Sequence, residues 1–155
     1  VFDSAGTAHV VTLYFNKTDD GVWTWRAMAK GEEVKNGPKG KMIEQANGTL
    51  MFDTDGRLRE QRINRSEFNF ANGALPNQRI EFNFGEDKSK GGGGMQVTQY
   101  GSTSEAYKTV QDGYAVGTLA GLSFSDDGSL AANYTNAAVM NVAQLALGKF
   151  ENTEG

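Results

Sequence analysis

Thr49-Leu50-Met51-Phe52, then Asp53-Thr54-Asp55-Gly56, then Arg57-Leu58-Arg59-Glu60-Gln61-Arg62-Ile63 reads as a strand, a corner and a returning strand. Glycine accepts positive φ at little cost, and an aspartate can bond the backbone that follows it, so Asp53 to Gly56 is chemistry for a tight reversal. The same grammar stands upstream. Thr7 to Phe15 alternates, with His9, Val11, Leu13 and Phe15 on one face, and Asp19-Asp20-Gly21 turns the chain. Val22 to Ala29 then returns with Trp23 and Trp25 on one face, followed by a loop through Asn36-Gly37-Pro38-Lys39-Gly40.

Downstream, Phe68 and Phe70 share one period-two register, and Ile80, Phe82 and Phe84 another, so two more strands are expected around Asn72-Gly73 and Pro76-Asn77. Short strands punctuated by turn residues imply an all-β fold, an antiparallel β-barrel or sandwich built from hairpins. Gly91 to Gly94 interrupt the pattern and read as a flexible loop or linker. From Gly113 to Phe150 the charged residues are only Asp126, Asp127 and Lys149, whereas Arg26 to Lys90 is densely charged. That shift places a boundary near residue 112, with domains 1–112 and 113–155. Ala137 to Phe150 is ambiguous: Val139, Val142, Ala143 and Ala146 fit helical spacing, Leu145 and Leu147 fit a strand, and pattern alone leans to helix.

The 155 residues suffice for one domain, or for a small domain with an appended piece. Nine Phe, five Tyr and two Trp suit half-buried strands rather than disorder. A formal net charge of −4 gives no general attraction to nucleic acid or anionic membrane, and neither is expected as a partner. The absence of cysteine excludes disulfides, thiolate metal sites and thiol nucleophiles.

Catalytic and ligand motifs fail on inspection. His9 is the chain's only histidine and reads as a plain strand position, unable to build a multi-histidine metal site. Ser123, in Gly121-Leu122-Ser123-Phe124-Ser125, lacks the closing glycine of a nucleophile elbow. A calcium loop starting at Asp53 needs Glu at its twelfth position, where Asn64 stands. Asp126-Asp127-Gly128 likewise reads as a hairpin corner. Gly37 to Lys41 ends in Gly-Lys, but Met42 occupies the place of the Ser or Thr that a phosphate-binding loop requires. Arg57, Arg59, Arg62 and Arg65, with Glu60 and Glu67 near, read as a solvated sheet face. Trp23 and Trp25 could stack a sugar, and an exported carbohydrate-binding β-sandwich is the alternative of a different class, although core packing is favoured for both rings. No catalytic, cofactor-binding or metal-ligating residues are expected, and no cofactor; the chain is expected not to be an enzyme.

Three stretches together resemble the bacterial flagellar hook protein family and its rod-like axial relatives. The first is Phe2-Asp3-Ser4-Ala5-Gly6-Thr7-Ala8-His9 with Val10 to Lys17; the second is Leu50 to Leu58. The third gathers Thr98 to Ser102, Gln111 to Leu119, Asp127-Gly128, Tyr134-Thr135-Asn136 and Ala143 to Leu147. One departure is Asn136-Ala137, where the family has Asn-Gly. The resemblance implies an outer β-barrel-like hook domain over 1–112 and, over 113–155, a smaller β segment returning to an adjoining inner domain. It makes Ala137 to Phe150 a strand, against the helical spacing. It further implies an extracellular structural subunit, exported without a cleaved signal peptide. That subunit polymerises with other hook subunits into a flexible joint carrying torque from motor to filament. Helical ends that form the family's tube core lie outside this sequence, so the chain alone is expected to be a monomer.

Overall fold

The computed structural model describes residues 1–86, 90–91, 97–106 and 108–146. The chain divides into two compact units, Val1–Gln111 and Asp112–Gly155. Both are antiparallel β meanders.

In the first unit, β1 (Thr12–Asp19), β2 (Val22–Lys30), β3 (Met42–Phe52) and β4 (Leu58–Ser66) form one sheet in the order β1-β2-β3-β4. Strands β1 and β4 are its two edges, so the sheet does not close into a barrel. One face of β2 carries Trp25, Ala27 and Ala29, which are fully or almost fully buried with Ala46 and Leu50 of β3 and Leu58 of β4. The period-two alternation of β2 is the physical cause, since it sends every second side chain to the core. A layer of irregular chain between Phe68 and Phe84 covers that face. Phe68 and Phe70 join the buried cluster, and Ile80, Phe82 and Phe84 pack against it. Trp25 lies at the centre, its ring centroid 5.0 Å from that of Phe82 and 5.2 Å from that of Phe84.

The aromatic segments do not form the two strands their periodicity suggests. Phe68 exchanges backbone hydrogen bonds with Gln78, and Val34 makes a single bridge with Phe70, but neither pairing propagates. Residues 80–86 carry no strand at all. Side chains replace the ladder there: Gln61 accepts from Phe84 N at 3.3 Å and donates to Gly85 O at 3.1 Å, and the Ser66 hydroxyl donates to Ile80 O. Backbone groups satisfied by side chains have no need of a partner strand. The first strand also begins later than the alternation implied, at Thr12 instead of Thr7, and β3 begins earlier, at Met42.

One corner recurs. Asp53 Oδ1 accepts from Asp55 N at 3.0 Å and from Arg57 N at 2.9 Å, while Gly56 N donates to Asp53 O and Asp53 N to Arg57 O. Asp3 repeats this bond for bond, with Ala5 N and Thr7 N on Oδ1, Gly6 N on Asp3 O and Asp3 N on Thr7 O. The backbone pair recurs at Ser125 to Ser129 and at Tyr134 to Ala138. The fourth residue of every copy has positive φ: Gly6 at 75°, Gly56 at 75°, Gly128 at 83° and Ala137 at 63°. Only the last lacks glycine.

In the second unit, β5 (Leu119–Phe124), β6 (Ser129–Tyr134) and β7 (Val139–Gln144) form a three-stranded sheet in sequence order. Val139–Gln144 is therefore strand, contrary to the helical spacing and in agreement with the resemblance; residues 147–150 lie outside the described residues. Cross-strand partners place Leu122 beside Ala132, Ala132 beside Met140, and Phe124 beside Leu130. Leu122, Phe124 and Met140 are more than half exposed. Of the glycine run, Gly92 to Gly94 also fall outside the described residues.

Candidate functional site

Among the described residues, ionisable side chains converge under cover at His9. It lies just before β1, not within a strand as its alternation suggested. Its Nε2 is 3.0 Å from Asp3 Oδ2 and its Nδ1 is 3.0 Å from Glu33 Oε2. The imidazole stacks on Phe70, with centroids 3.9 Å apart and planes 8° from parallel. Asp3 and His9 are both buried. Burial alone would raise the Asp3 carboxyl; the contact with His9 and the N–H groups of Thr7 and Ala5 outweigh it and hold the group below its ordinary value. The seat is structural by its geometry. The Asp3 corner supplies one carboxylate, the 3-10 turn Gly31–Glu33 the other, and the histidine ties them together. With both ring nitrogens against carboxylates, none is left to take a proton from a nucleophile.

Ser123 lies on exposed β5, its hydroxyl accepting from Asn133 Nδ2 at 3.0 Å. Asp53 spends its carboxylate oxygen on two backbone N–H groups, as a corner does. Asp127 Oδ1 accepts from Ser129 N at 2.9 Å, and its hydrogen bonds to the Ser129 backbone and side chain hold its carboxyl below the ordinary value. Among the described residues, no group of three or more His, Asp or Glu is arranged to hold a metal ion. Gly37 to Lys41 forms a tight loop in which Gly37 N donates to Val34 O and Gly31 N to Lys41 O. Those donors face the chain itself, not a ligand.

The arginines run along β4 and its flank. Arg62 donates to Glu60 at 2.6 Å, a bond that raises the guanidinium above its ordinary value, and Arg65 lies 3.5 Å from Glu67. Arg59 reaches the Met51 sulfur. Of the two tryptophans, Trp25 is 1% exposed and has no face free for a sugar. Trp23 is half-buried, its Nε1 donating to Gln99 Oε1 at 2.8 Å. They form no stacking platform. The opposite face of the sheet holds a shallow open groove lined by Tyr14, Asn16, Thr24, Arg26, Met28 and Met42. Its one cation, Arg26, is 3.5 Å from Glu44. No helix among the described residues is long and apolar enough to cross a membrane.

Among the described residues, hydrogen-bonded corners and a packed aromatic core are the features that stand out. Residues 1–114 match the family described as the flagellar basal body protein FlaE D2 domain. The chain belongs to that family. Across its whole length it is 31% identical to the flagellar hook protein FlgE of Helicobacter pylori and 30% identical to that of Escherichia coli. The hook protein FlgE of Salmonella typhimurium is 26% identical over 155 residues. The chain spans 21% of the length of the first of these relatives and 35% of the other two. Within the FlaE D2 match fall the Asp3 and Asp53 corners, His9, Glu33, Phe70 and both tryptophans. Sequence reasoning passed over the His9 seat. Its signal was the repetition of Asp-x-x-Gly at Asp3 to Gly6, seen as a corner only when set beside Asp53 to Gly56.

Proposed function

We propose that this chain is a structural, non-catalytic part of a flagellar hook subunit. The observation carrying this reading is the alignment, without remainder, of all its residues with hook proteins at 31% and 30% identity. In this reading residues 1–112 form the outer β module. Residues 113–155 are a β segment returning to an adjoining inner domain. The exposed row of Leu122, Phe124 and Met140 supports the second assignment, because a three-stranded sheet with one bare apolar face is stabilised by burial against further structure. The full-length subunit polymerises with its own copies outside the cell and transmits torque as a flexible joint. The 155-residue chain by itself is monomeric, a state that light scattering reads directly.

The charged, paired surface of β4 suits contacts that must slide as a joint bends, since exposed ion pairs each contribute little and exchange readily. The test is genetic. Deleting the gene for the full-length protein should leave cells without hooks in electron micrographs, and the intact gene should restore them. Normal hooks in the deletion strain would overturn the reading.

A further inference from the structure

The sequence contains three Asn-Gly pairs, Asn36-Gly37, Asn47-Gly48 and Asn72-Gly73. Asn-Gly is the dipeptide in which a backbone amide most easily attacks a side-chain amide, because glycine offers no Cβ to obstruct the approach. The fold treats the three differently.

Asn47-Gly48 lies inside β3. Gly48 is paired with Trp25 of β2 on one side and Ile63 of β4 on the other, and Asn47 Nδ2 donates to Glu44 Oε1 at 2.6 Å. Gly37 N–H is committed to Val34 O at 2.9 Å, and Gly37 packs so closely on Gly31 that a Cβ there would strike the Gly31 carbonyl. Asn72 and Gly73 are both exposed and both have positive φ, 61° and 91°. Among the described residues Gly73 N–H has no hydrogen-bond acceptor, and nothing stands within 4 Å of where its Cβ would be.

We propose that Asn72 is a site of spontaneous covalent modification, by succinimide formation and hydrolysis. The Gly73 nitrogen forms a bond to Asn72 Cγ while the Cγ–Nδ2 bond breaks. The amide proton leaves with the departing nitrogen as ammonia. Water then adds to one of the two imide carbonyls and opens the ring, giving an aspartyl or an isoaspartyl linkage. No oxidant, metal or enzyme enters the balance; water is the only co-reactant. Each event replaces a neutral amide with a carboxylate. The turn is flanked by the bonds from Ala71 N to Glu33 O and from Lys35 N to Asn69 O, so the altered linkage falls beside the anchor of the Glu33 segment.

The experiment incubates the folded chain in heavy-oxygen water at mildly alkaline pH and follows amide-to-acid conversion at each asparagine by peptide mass spectrometry. A parallel sample is held in denaturant. In the folded chain Asn72 should convert at least about tenfold faster than Asn36 and Asn47, because reaction at the latter two requires local opening. In denaturant the three rates should converge. A folded-state ratio near one, or an Asn72 that keeps its amide while the denatured chain converts, would overturn the proposal.

Discussion

His9 lies flat against Phe70, with ring centroids 3.9 Å apart, and so joins the segment before β1 to the aromatic layer that covers the sheet. Asp3 and Glu33 close the two ends of the same imidazole. The Asp3 carboxyl has a folded-state pKa below its ordinary value, the net result of burial, which raises it, and of stronger lowering by His9, Thr7 N and Ala5 N. A depressed carboxylate stabilises the fold above its unfolded pKa, and that contribution is lost as pH falls through the folded value. The first unit should therefore lose stability below about pH 4, where an unfolded aspartate takes its proton. In the Asp3→Asn variant this acid loss should be shallower and the stability at neutral pH lower by about 2 kcal/mol. Thermal unfolding across a pH series reads both.

Ala137 holds a position that wants glycine. Its φ of 63° is the one non-glycine case among the four corners of this type, while its neighbour Asn136 accepts from Ala138 N at 3.1 Å. An L residue with a Cβ is strained by about 1–2 kcal/mol in this region. Ala137→Gly should relieve part of that strain and raise the melting temperature of the second sheet, even though glycine usually weakens a fold. A lower melting temperature would contradict the assigned corner.

Gly48 and Trp25 are cross-strand partners, and the indole occupies the space where a side chain would stand. A Cβ on Gly48 would come within 2.6 Å of Trp25 Nε1 and would also meet the carbonyl of Arg62. Gly48→Ala should cost about 3 kcal/mol through displaced core packing. The drop should appear in chemical denaturation, together with a shift in tryptophan fluorescence.

Gly56 and Gly40 separate backbone strain from steric clash. Both have positive φ, but a Cβ at Gly40 meets nothing within 4 Å, whereas at Gly56 it would strike the carbonyl of Gln99. Gly40→Ala should cost about 1 kcal/mol. Gly56→Ala should cost about 2–3 kcal/mol, because the segment held by Gln99 N on Gly56 O must also move. Equal costs would mean that the Gln99 segment does not dock there.

Alternation and Asp-Gly chemistry make the first four strands and their turns legible in the sequence, though not the open sheet they form. The interior of β2, from Trp23 to Ala29, obeys period two, and the turns at Gly21 and Gly56 fall where local preference puts them. Phe68 to Phe84 was not readable in the same way. Its period-two pattern is real and its rings do reach the core, but whether such a segment pairs as strand depends on distant groups. Gln61 and Ser66 capture its backbone instead. The seat around His9 escaped for a related reason. Asp3 and Glu33 are 6 and 24 residues away from it, and no local pattern links the Asp3 corner to a 3-10 turn.

The exposed turn at Asn72-Gly73 offers a place to mark this chain within a hook subunit. A short epitope inserted there in the full-length protein, in cells that remain motile, can be located with gold-labelled antibody in electron micrographs. Gold is expected along the curved segment between the cell body and the filament. Gold confined to the filament or the cytoplasm, with that segment unlabelled, would contradict it.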